Sequence, residues 1–170
     1  MTGSRRDGSA DWLGALYERF AASLFRYAAM ILADRAAAAD AVQQVFLKLT
    51  KSGSGTEEGS TQPGAGYLRR AVRNECYSML RTRRREIVVT VDARLLETVE
   101  ASADSPAERL AIEQALRELP PEQREVIHLK VFEGLTFQEI ADATGESINT
   151  AASRYRYATG KLRAILTEKS

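Results

Sequence analysis

The sequence predicts an all-α protein made of two small helical domains joined by a flexible linker. Apolar residues recur every three or four positions through most of the 170 residues, which is the spacing of helices with one buried face. Two segments, 52–66 and 87–104, interrupt this pattern. The chain is 44% hydrophobic, which is enough for one packed core before segment 87–104 and another after it.

Composition excludes several classes of function. No run of 18 apolar residues is present, so we expect no membrane insertion, and the polar segment 1–11 lacks the apolar core of a signal peptide. One cysteine and one histidine are too few for a disulfide framework, a metal site or a histidine-based triad. We therefore expect a cytoplasmic protein that is not an enzyme, with no catalytic residue, cofactor or metal.

The N-terminal part predicts a bundle of three helices. The first has an apolar stripe at Leu13, Leu16, Tyr17, Phe20, Leu24, Tyr27, Ala28 and Ile31. The second starts near Asp34 and repeats the pattern at Ala38, Ala41, Val42, Val45, Phe46 and Leu49. The Gly-, Ser- and Pro-rich segment 52–66 predicts a flexible loop. In the third helix the arginines face outward, and the inward residues are Leu68, Ala71, Val72, Met79 and Leu80.

The C-terminal part opens with a strong helix start. Ser105 is a good N-cap, Pro106 suits the first helical position, and Glu108 completes a capping box. This helix should end before the prolines at 120 and 121. The next helix should run from about Pro121 to Phe132 and stop at Gly134.

Residues 136–166 predict a helix-turn-helix. Thr136 and Glu139 form a capping box, the short helix buries Ile140 and Ala141, and Gly145 suits the left-handed residue that ends it. A second helix, capped by Ser147, follows it. The residues on its inward face are Ile148, Ala151, Tyr155, Ala158, Leu162 and Ile165. Two helices joined by a short turn with glycine are typical of DNA-binding proteins. The early part of the second helix exposes side chains suited to contact base edges or phosphates, namely Asn149, Thr150, Ser153, Arg154 and Arg156.

Charge is segregated along the chain although the net charge is only +1. Segment 69–86 has seven arginines and two glutamates, a local charge of +5, and segment 146–170 has a local charge of +3. Segment 92–113 between them has a local charge of −4. Two basic blocks around an acidic stretch indicate two polyanion contacts joined by a connector that does not bind.

The third helix combines arginines with an amide and an aromatic ring. We expect its outward face to hold Arg69, Arg70, Arg73, Asn74, Tyr77, Arg81 and Arg84. Such a face suits a nucleic-acid strand whose phosphates are bound and whose bases stack or are recognised individually.

Three stretches together resemble the extracytoplasmic-function (ECF) group of bacterial RNA polymerase sigma factors. They are DAVQQVFLKL at 40–49, YLRRAVRNECYSMLRTRRR at 67–85, and the long stretch at 115–154 that contains the helix-turn-helix. The resemblance implies a region-2-like domain at 1–86, a linker at 87–105 and a region-4-like helix-turn-helix domain at 106–170.

The resemblance also implies partners and contact residues. Core RNA polymerase would contact the chain through its largest-subunit clamp helices, at Asp40, Gln43, Gln44 and Leu47, and through its flap. The minus-ten promoter element would contact Arg73, Asn74, Tyr77, Ser78 and Arg81, with the loop 52–66 placed where a flipped-out base is captured. The minus-thirty-five element would contact Asn149, Thr150, Ser153 and Arg154. Many members of the family are inhibited by an anti-sigma protein, and nothing in the sequence identifies one.

Two readings of function remain open from the sequence. The first is a sigma factor that recognises and melts promoters on RNA polymerase. The second is a stand-alone helix-turn-helix regulator that binds duplex DNA without polymerase, usually as a two-fold dimer. The arginine-rich helix and the helix at 40–49 favour the first, because a stand-alone regulator needs neither.

Overall fold

The computed structural model describes residues 5–52, 63–83 and 105–168, and helices joined by short turns make up this part of the chain. The α-helices are α1 (Arg5–Leu32), α2 (Arg35–Ser52), α3 (Ala65–Arg83), α4 (Pro106–Arg117), α5 (Pro121–Ile127), α6 (Phe137–Thr144) and α7 (Ile148–Glu168), with a π-helical turn at His128–Phe132. The all-α prediction is confirmed. Arg84, the linker 87–104 and most of the loop 52–66 lie outside the described residues.

The first three helices form the predicted bundle around one core. The α1 helix ends at Ala33, which takes a left-handed conformation (φ 53°), and the next residue, Asp34, caps α2 by accepting the Ala37 N–H at 3.0 Å. The buried side chains of the three helices include Ile31, Leu24, Val42, Phe46, Leu49, Leu68 and Val72. Tyr17, expected in the buried stripe, is 50% exposed and contacts Phe46 only edge-on.

Cys76 lies in the centre of the bundle, which the sequence pattern did not predict. Its side chain is fully buried, and burial, followed by the nearby Glu125 and Glu75, raises the pKa of its thiol to about 12. Thiolate is the reactive form of cysteine, and an ordinary thiol has a pKa of about 8.5. Cys76 is therefore inert at neutral pH while the fold is intact.

We expect native protein to resist alkylation of Cys76. The raised pKa lowers the thiolate fraction by about 1000-fold or more relative to an ordinary exposed thiol. Mass spectrometry after iodoacetamide treatment, with and without denaturant, measures this directly. Rapid labelling without denaturant would show that α3 leaves the bundle easily, contrary to the packing described above.

The helix ends of the C-terminal part are as predicted. Both capping boxes form: Ser105 with Glu108 starts α4, and Thr136 with Glu139 starts α6. Gly145 ends α6 in the left-handed conformation, at φ 73°, where a side chain would be strained. These local interactions define where the helices α4 and α6 begin and where α6 ends.

The helix predicted from Pro121 to Phe132 changes its winding halfway. After α5, the turn His128–Phe132 is π-helical, and the Glu133 N–H donates to the His128 carbonyl oxygen at 3.1 Å, five residues back. The segment then ends at Gly134, which has φ 69°. The wider turn is a detail that apolar spacing does not reveal, because one π-turn shifts the register by a single residue.

The second half of α5 and the start of the π-helical turn lie buried between the two helical groups. Six consecutive residues, from Arg124 to Leu129, are at most 5% exposed. Val126 and Leu129 join the core of the N-terminal bundle. Conversely, Met30 of α1 packs in a second cluster with C-terminal residues, namely Leu116, Leu119, Ile127 and Ala158. The two groups of helices therefore pack against each other in this structure.

Candidate nucleic-acid and polymerase interfaces

One face of α2 is fully open to solvent. The side chains of Ala41, Val42 and Val45 point into the bundle, while the intervening positions Asp40, Gln43, Gln44 and Leu47 are exposed. Leu47, the apolar member of this set, is 46% exposed. We call these four residues the docking face.

The α3 helix has two polar faces with different surroundings. On the first, Asn74, Ser78 and Arg81 are exposed and line a groove between α3 and α2, with a cavity volume of 480 Å³. Lys48 and Tyr67 stand at the same groove. Glu75 also lines the groove and pairs with Lys48 at 2.5 Å, so Arg81 is the cation there that is not paired with this acid. An amide, a hydroxyl, an aromatic ring and an arginine around one groove match the chemistry that binds an unstacked base and its phosphate. We call this the groove face.

The second polar face of α3 is covered by α5. The Arg73 guanidinium donates to both carboxylate oxygens of Glu125, from Nε to Oε1 at 2.7 Å and from Nη2 to Oε2 at 3.2 Å. The Tyr77 hydroxyl donates to Oε2 at 2.7 Å, and the Tyr27 hydroxyl of α1 donates to Oε1 at 2.5 Å. The expectation that Arg73 and Tyr77 face outward was wrong for this arrangement, because a buried carboxylate on α5 pairs with both.

The electrostatics of this cluster keep its donors protonated. Burial and then Glu125 raise the pKa of Tyr77, and the same two causes raise that of Tyr27, so both hydroxyls keep their protons. Burial alone would lower the pKa of Arg73, but Glu125 more than compensates, and the net shift is upward. The fully buried Glu125 therefore accepts from one cation and two neutral hydroxyls, which is what a buried carboxylate requires.

A second pair continues along the same side of α3. Arg69 donates to Glu133, and His128 Nε2 lies 3.2 Å from the other oxygen of that carboxylate. Burial alone would raise the pKa of Glu133, but the hydrogen bond from His128 and the charge of Arg69 outweigh it and lower that pKa. Arg70 is exposed and reaches only the Asp142 carbonyl oxygen, at 3.5 Å. We call Arg69, Arg73 and Tyr77 the covered face of α3.

Arg124 connects the two helical groups through backbone atoms alone. Its Nε donates to the Met30 carbonyl oxygen and its Nη2 to that of Ile31, each at 2.7 Å, while Nη1 donates to that of Leu119. The last carbonyls of a helix have no partner within it, so a cation at the end of α1 satisfies both their hydrogen bonds and their negative dipole. Burial lowers the pKa of Arg124 to about 10, which still leaves it charged at neutral pH.

The recognition helix of the helix-turn-helix begins as predicted and stays accessible. Ser147 caps it by accepting the Thr150 N–H at 3.0 Å, Asn149 and Arg156 are exposed, and Ser153 is partly exposed. Arg154 pairs with Glu146 at 3.0 Å near the surface. Ile148 was expected to face inward, but it is the first residue of α7 and is 46% exposed.

Sequence reasoning missed Arg124 and Glu125, the two charged residues that join the halves. The pair sits in PEQREVIHL, where the apolar residues Val126, Ile127 and Leu129 are too densely spaced for one buried stripe. A buried helical segment was the available signal, because charged residues on such a segment must find partners.

The described residues contain neither a membrane-spanning helix nor a metal cluster. No helix in 5–52, 63–83 or 105–168 has the length and hydrophobicity of a membrane span. Within the same ranges, no three His, Cys, Asp or Glu side chains come close enough together to bind a metal ion.

Comparison with known families identifies the class of both helical groups. The model described as sigma-70 region 2 matches residues 16–86, and the one described as sigma-70 region 4 matches residues 109–162. The two matches fall on the N-terminal bundle and on the helix-turn-helix group respectively. The chain is thus a sigma-70-type transcription initiation factor.

Individual relatives narrow this class to one group. The ECF RNA polymerase sigma factor SigL of Mycobacterium tuberculosis is 31% identical over 91% of this chain and 88% of its own length. The RNA polymerase sigma factor CarQ of Myxococcus xanthus is 29% identical over 96% of this chain and 94% of its own. The structure of the sigma factor RpoE in complex with the anti-sigma factor NepR, from Bartonella quintana, matches with a TM-score of 0.70 and 26% identity, over 91% of this chain and 96% of that one.

The chain belongs to the ECF RNA polymerase sigma factors, and it directs transcription initiation with RNA polymerase. The resemblance inferred from three sequence stretches is confirmed, and a stand-alone regulator is not favoured.

Proposed function

We propose that the chain uses three surfaces in transcription initiation, one that binds polymerase and two that bind promoter DNA. We also propose that the protein works in the cytoplasm and catalyses no reaction. The docking face of α2 binds the clamp helices of core RNA polymerase, and the C-terminal group also contacts the polymerase flap. The observation that carries this proposal is that Asp40, Gln43, Gln44 and Leu47 all remain exposed on one face of a helix whose other face is buried. The domain boundaries that we propose are 1–86, 87–105 and 106–170.

The groove face of α3 is proposed to hold the separated strand of the minus-ten element. Asn74, Ser78 and Arg81 would contact bases and phosphates there, and the covered face would add Arg69, Arg73 and Tyr77 when it is free. Arg70 is exposed beside them, and Arg84 follows in sequence. Separating base pairs costs roughly 1.4 kcal/mol of stacking per step. Capture of each base by stacking returns roughly 1–3 kcal/mol, so a few captured bases offset local melting.

The recognition helix is proposed to bind the minus-thirty-five element as duplex. Asn149, Thr150 and Ser153 lie in its first two turns, where helix-turn-helix proteins contact base edges in the major groove. Arg154 and Arg156 add positive charge on the same helix for phosphates or guanine.

An anti-sigma protein is a further proposed partner. RpoE, which this chain resembles over most of its length, was solved in complex with the anti-sigma factor NepR. A protein inhibitor of this chain would act by covering the docking face or the groove face, because both are open in the structure.

The direct test is size-exclusion chromatography of the purified protein with bacterial core RNA polymerase, followed by transcription from a promoter library. We expect co-elution and transcripts from a defined set of promoters. Failure to co-elute, together with specific duplex binding by the protein alone, would contradict the proposal and support a stand-alone regulator.

Arg154→Ala is expected to weaken contact with the upstream duplex by about fivefold or more. A base contact through arginine contributes roughly 1–3 kcal/mol of discrimination. Transcription from a template already melted at the minus-ten element should be nearly unchanged, because strand capture uses α3. Arg163→Ala, exposed later on α7, is the matched control. Equal loss on the pre-melted template would show that the recognition helix is wrongly assigned.

A further inference from the structure

The covered face of α3 presents its donors to an acid of the same chain. Glu125 offers a planar anionic fork to the Arg73 guanidinium, and its two oxygens also accept the hydroxyl protons of Tyr77 and Tyr27. Arginine binds phosphate through the same two-pronged geometry. The donors that suit a strand phosphate are therefore occupied by a carboxylate of the C-terminal group.

The covering extends along one side of the helix. Arg69, Arg73 and Tyr77 are spaced by four residues, so they form one row on α3. Glu133 pairs with Arg69, one turn of α3 away from the Glu125 contact. Both acids belong to the C-terminal group, and each pairs with an arginine of this row.

We propose that Glu125 is an internal substitute for a promoter phosphate, which holds the chain in a closed form and withholds the covered face until the C-terminal group is released. This inference rests on the proposed function, because it concerns the availability of the same strand-binding residues. In the closed form Arg73 and Tyr77 do not contact DNA. In the open form they add to the groove face.

The closed form leaves the docking face exposed, which sets an order of events. Polymerase binds α2 without first displacing Glu125, because Gln44 and Leu47 are already accessible. Contacts between polymerase and the C-terminal group then favour the open form, since a ligand shifts a two-state equilibrium by its difference in affinity for the two states. Promoter melting thus follows polymerase binding.

Strand binding by the polymerase-free protein tests this order. Glu125→Gln keeps the size of the side chain and removes its charge, so Arg73 loses a charge-assisted partner. We expect this variant to bind a single-stranded minus-ten oligonucleotide about tenfold or more tighter than the wild type, because loss of the charge-assisted hydrogen bonds shifts the equilibrium toward the open form. Glu168→Gln, an equal charge change at the exposed end of α7, is the matched control and should bind as the wild type does.

A second variant guards against misfolding of the first. Glu133→Lys places a cation against Arg69 and opens the same interface from a partly exposed position. It should also bind the oligonucleotide more tightly, while circular dichroism shows unchanged helix content. If both folded variants bind no tighter than the wild type, the inference is wrong.

A distance measurement separates this inference from the proposed function. Fluorescent labels on Ala22→Cys in α1 and Ala164→Cys in α7, both exposed, report the separation of the two groups, while the buried Cys76 stays unlabelled. We expect a short distance in the free protein and a longer one with core polymerase. An active sigma factor whose distance does not change overturns this inference alone. A protein that closes but never binds polymerase overturns the proposed function.

Discussion

Replacing Arg124 with alanine is expected to destabilise the closed arrangement by about 3–5 kcal/mol. The change removes four hydrogen bonds, of which three are short and the fourth, to the Arg117 carbonyl oxygen, is 3.4 Å long. The carbonyl oxygens of Met30, Ile31 and Leu119 lose this donor. An unsatisfied buried acceptor costs roughly 1–3 kcal/mol, and the lost volume adds to that cost. Arg124→Lys should recover only part of the loss, because an ammonium group lacks the planar fork of the guanidinium.

Urea unfolding followed by two probes measures this effect. Trp12, the single tryptophan, packs against the core of the N-terminal bundle and reports on that group, while circular dichroism reports on all helices. We expect coincident transitions in the wild type and separated ones in Arg124→Ala. Arg156→Ala, on an exposed side chain, should change the free energy of unfolding by no more than about 0.5 kcal/mol. Coincident, unshifted curves for Arg124→Ala would show that the side chain does not join the two groups.

The double substitution Arg73→Ala and Asn74→Ala is expected to lower promoter opening by about 30-fold or more. Each residue would contribute a strand contact from a different face of α3, and contacts of this kind are worth roughly 1–3 kcal/mol per base. Binding to core polymerase should not change, because the docking face lies on α2. Permanganate reactivity of the melted strand reports opening, and co-elution with core reports binding.

The two single substitutions separate the roles of the two faces. Asn74→Ala should impair opening without altering the distance between the helical groups, because Asn74 is exposed on the groove face. Arg73→Ala should impair opening and also release the C-terminal group, since it leaves Glu125 without a cation. Thr82→Ala, on the exposed last turn of the same helix, is the control. Parallel loss of polymerase binding in the double variant would contradict the division between α2 and α3.

Sequence-local interactions were predicted correctly because they need no knowledge of the fold. The capping boxes at Ser105 and Thr136, the left-handed Gly145 and the bundle of three helices all follow from residues at most a few turns apart. The three stretches that resemble sigma factors are local in the same sense, so the family was identified from them. The site residues on α2 and α7 were found to be accessible, as expected, while their roles stay predictions.

Contacts between the halves could not be predicted from the sequence in the same way. Arginines at helical spacing look alike whether they face water or a buried acid, so Arg73 was expected on an open surface. Its partner, Glu125, is separated from it by 52 positions. Only the packing of α5 between the two groups brings them together, and that packing depends on shapes rather than on any short pattern.

The covered face and Glu125 belong to one polypeptide. The restraint that their pairing imposes therefore does not depend on the amount of protein in the cell. Tethering gives two surfaces an effective concentration on the order of millimolar, whatever the amount of protein present. A separate inhibitor protein leaves part of its target uninhibited when the target outnumbers it. A restraint built from Glu125 and Arg73 is always stoichiometric, so a burst of synthesis produces more restrained molecules in the same proportion. In the absence of polymerase, strand binding is then restrained in each molecule, whatever the ratio of inhibitor to sigma factor in the cell.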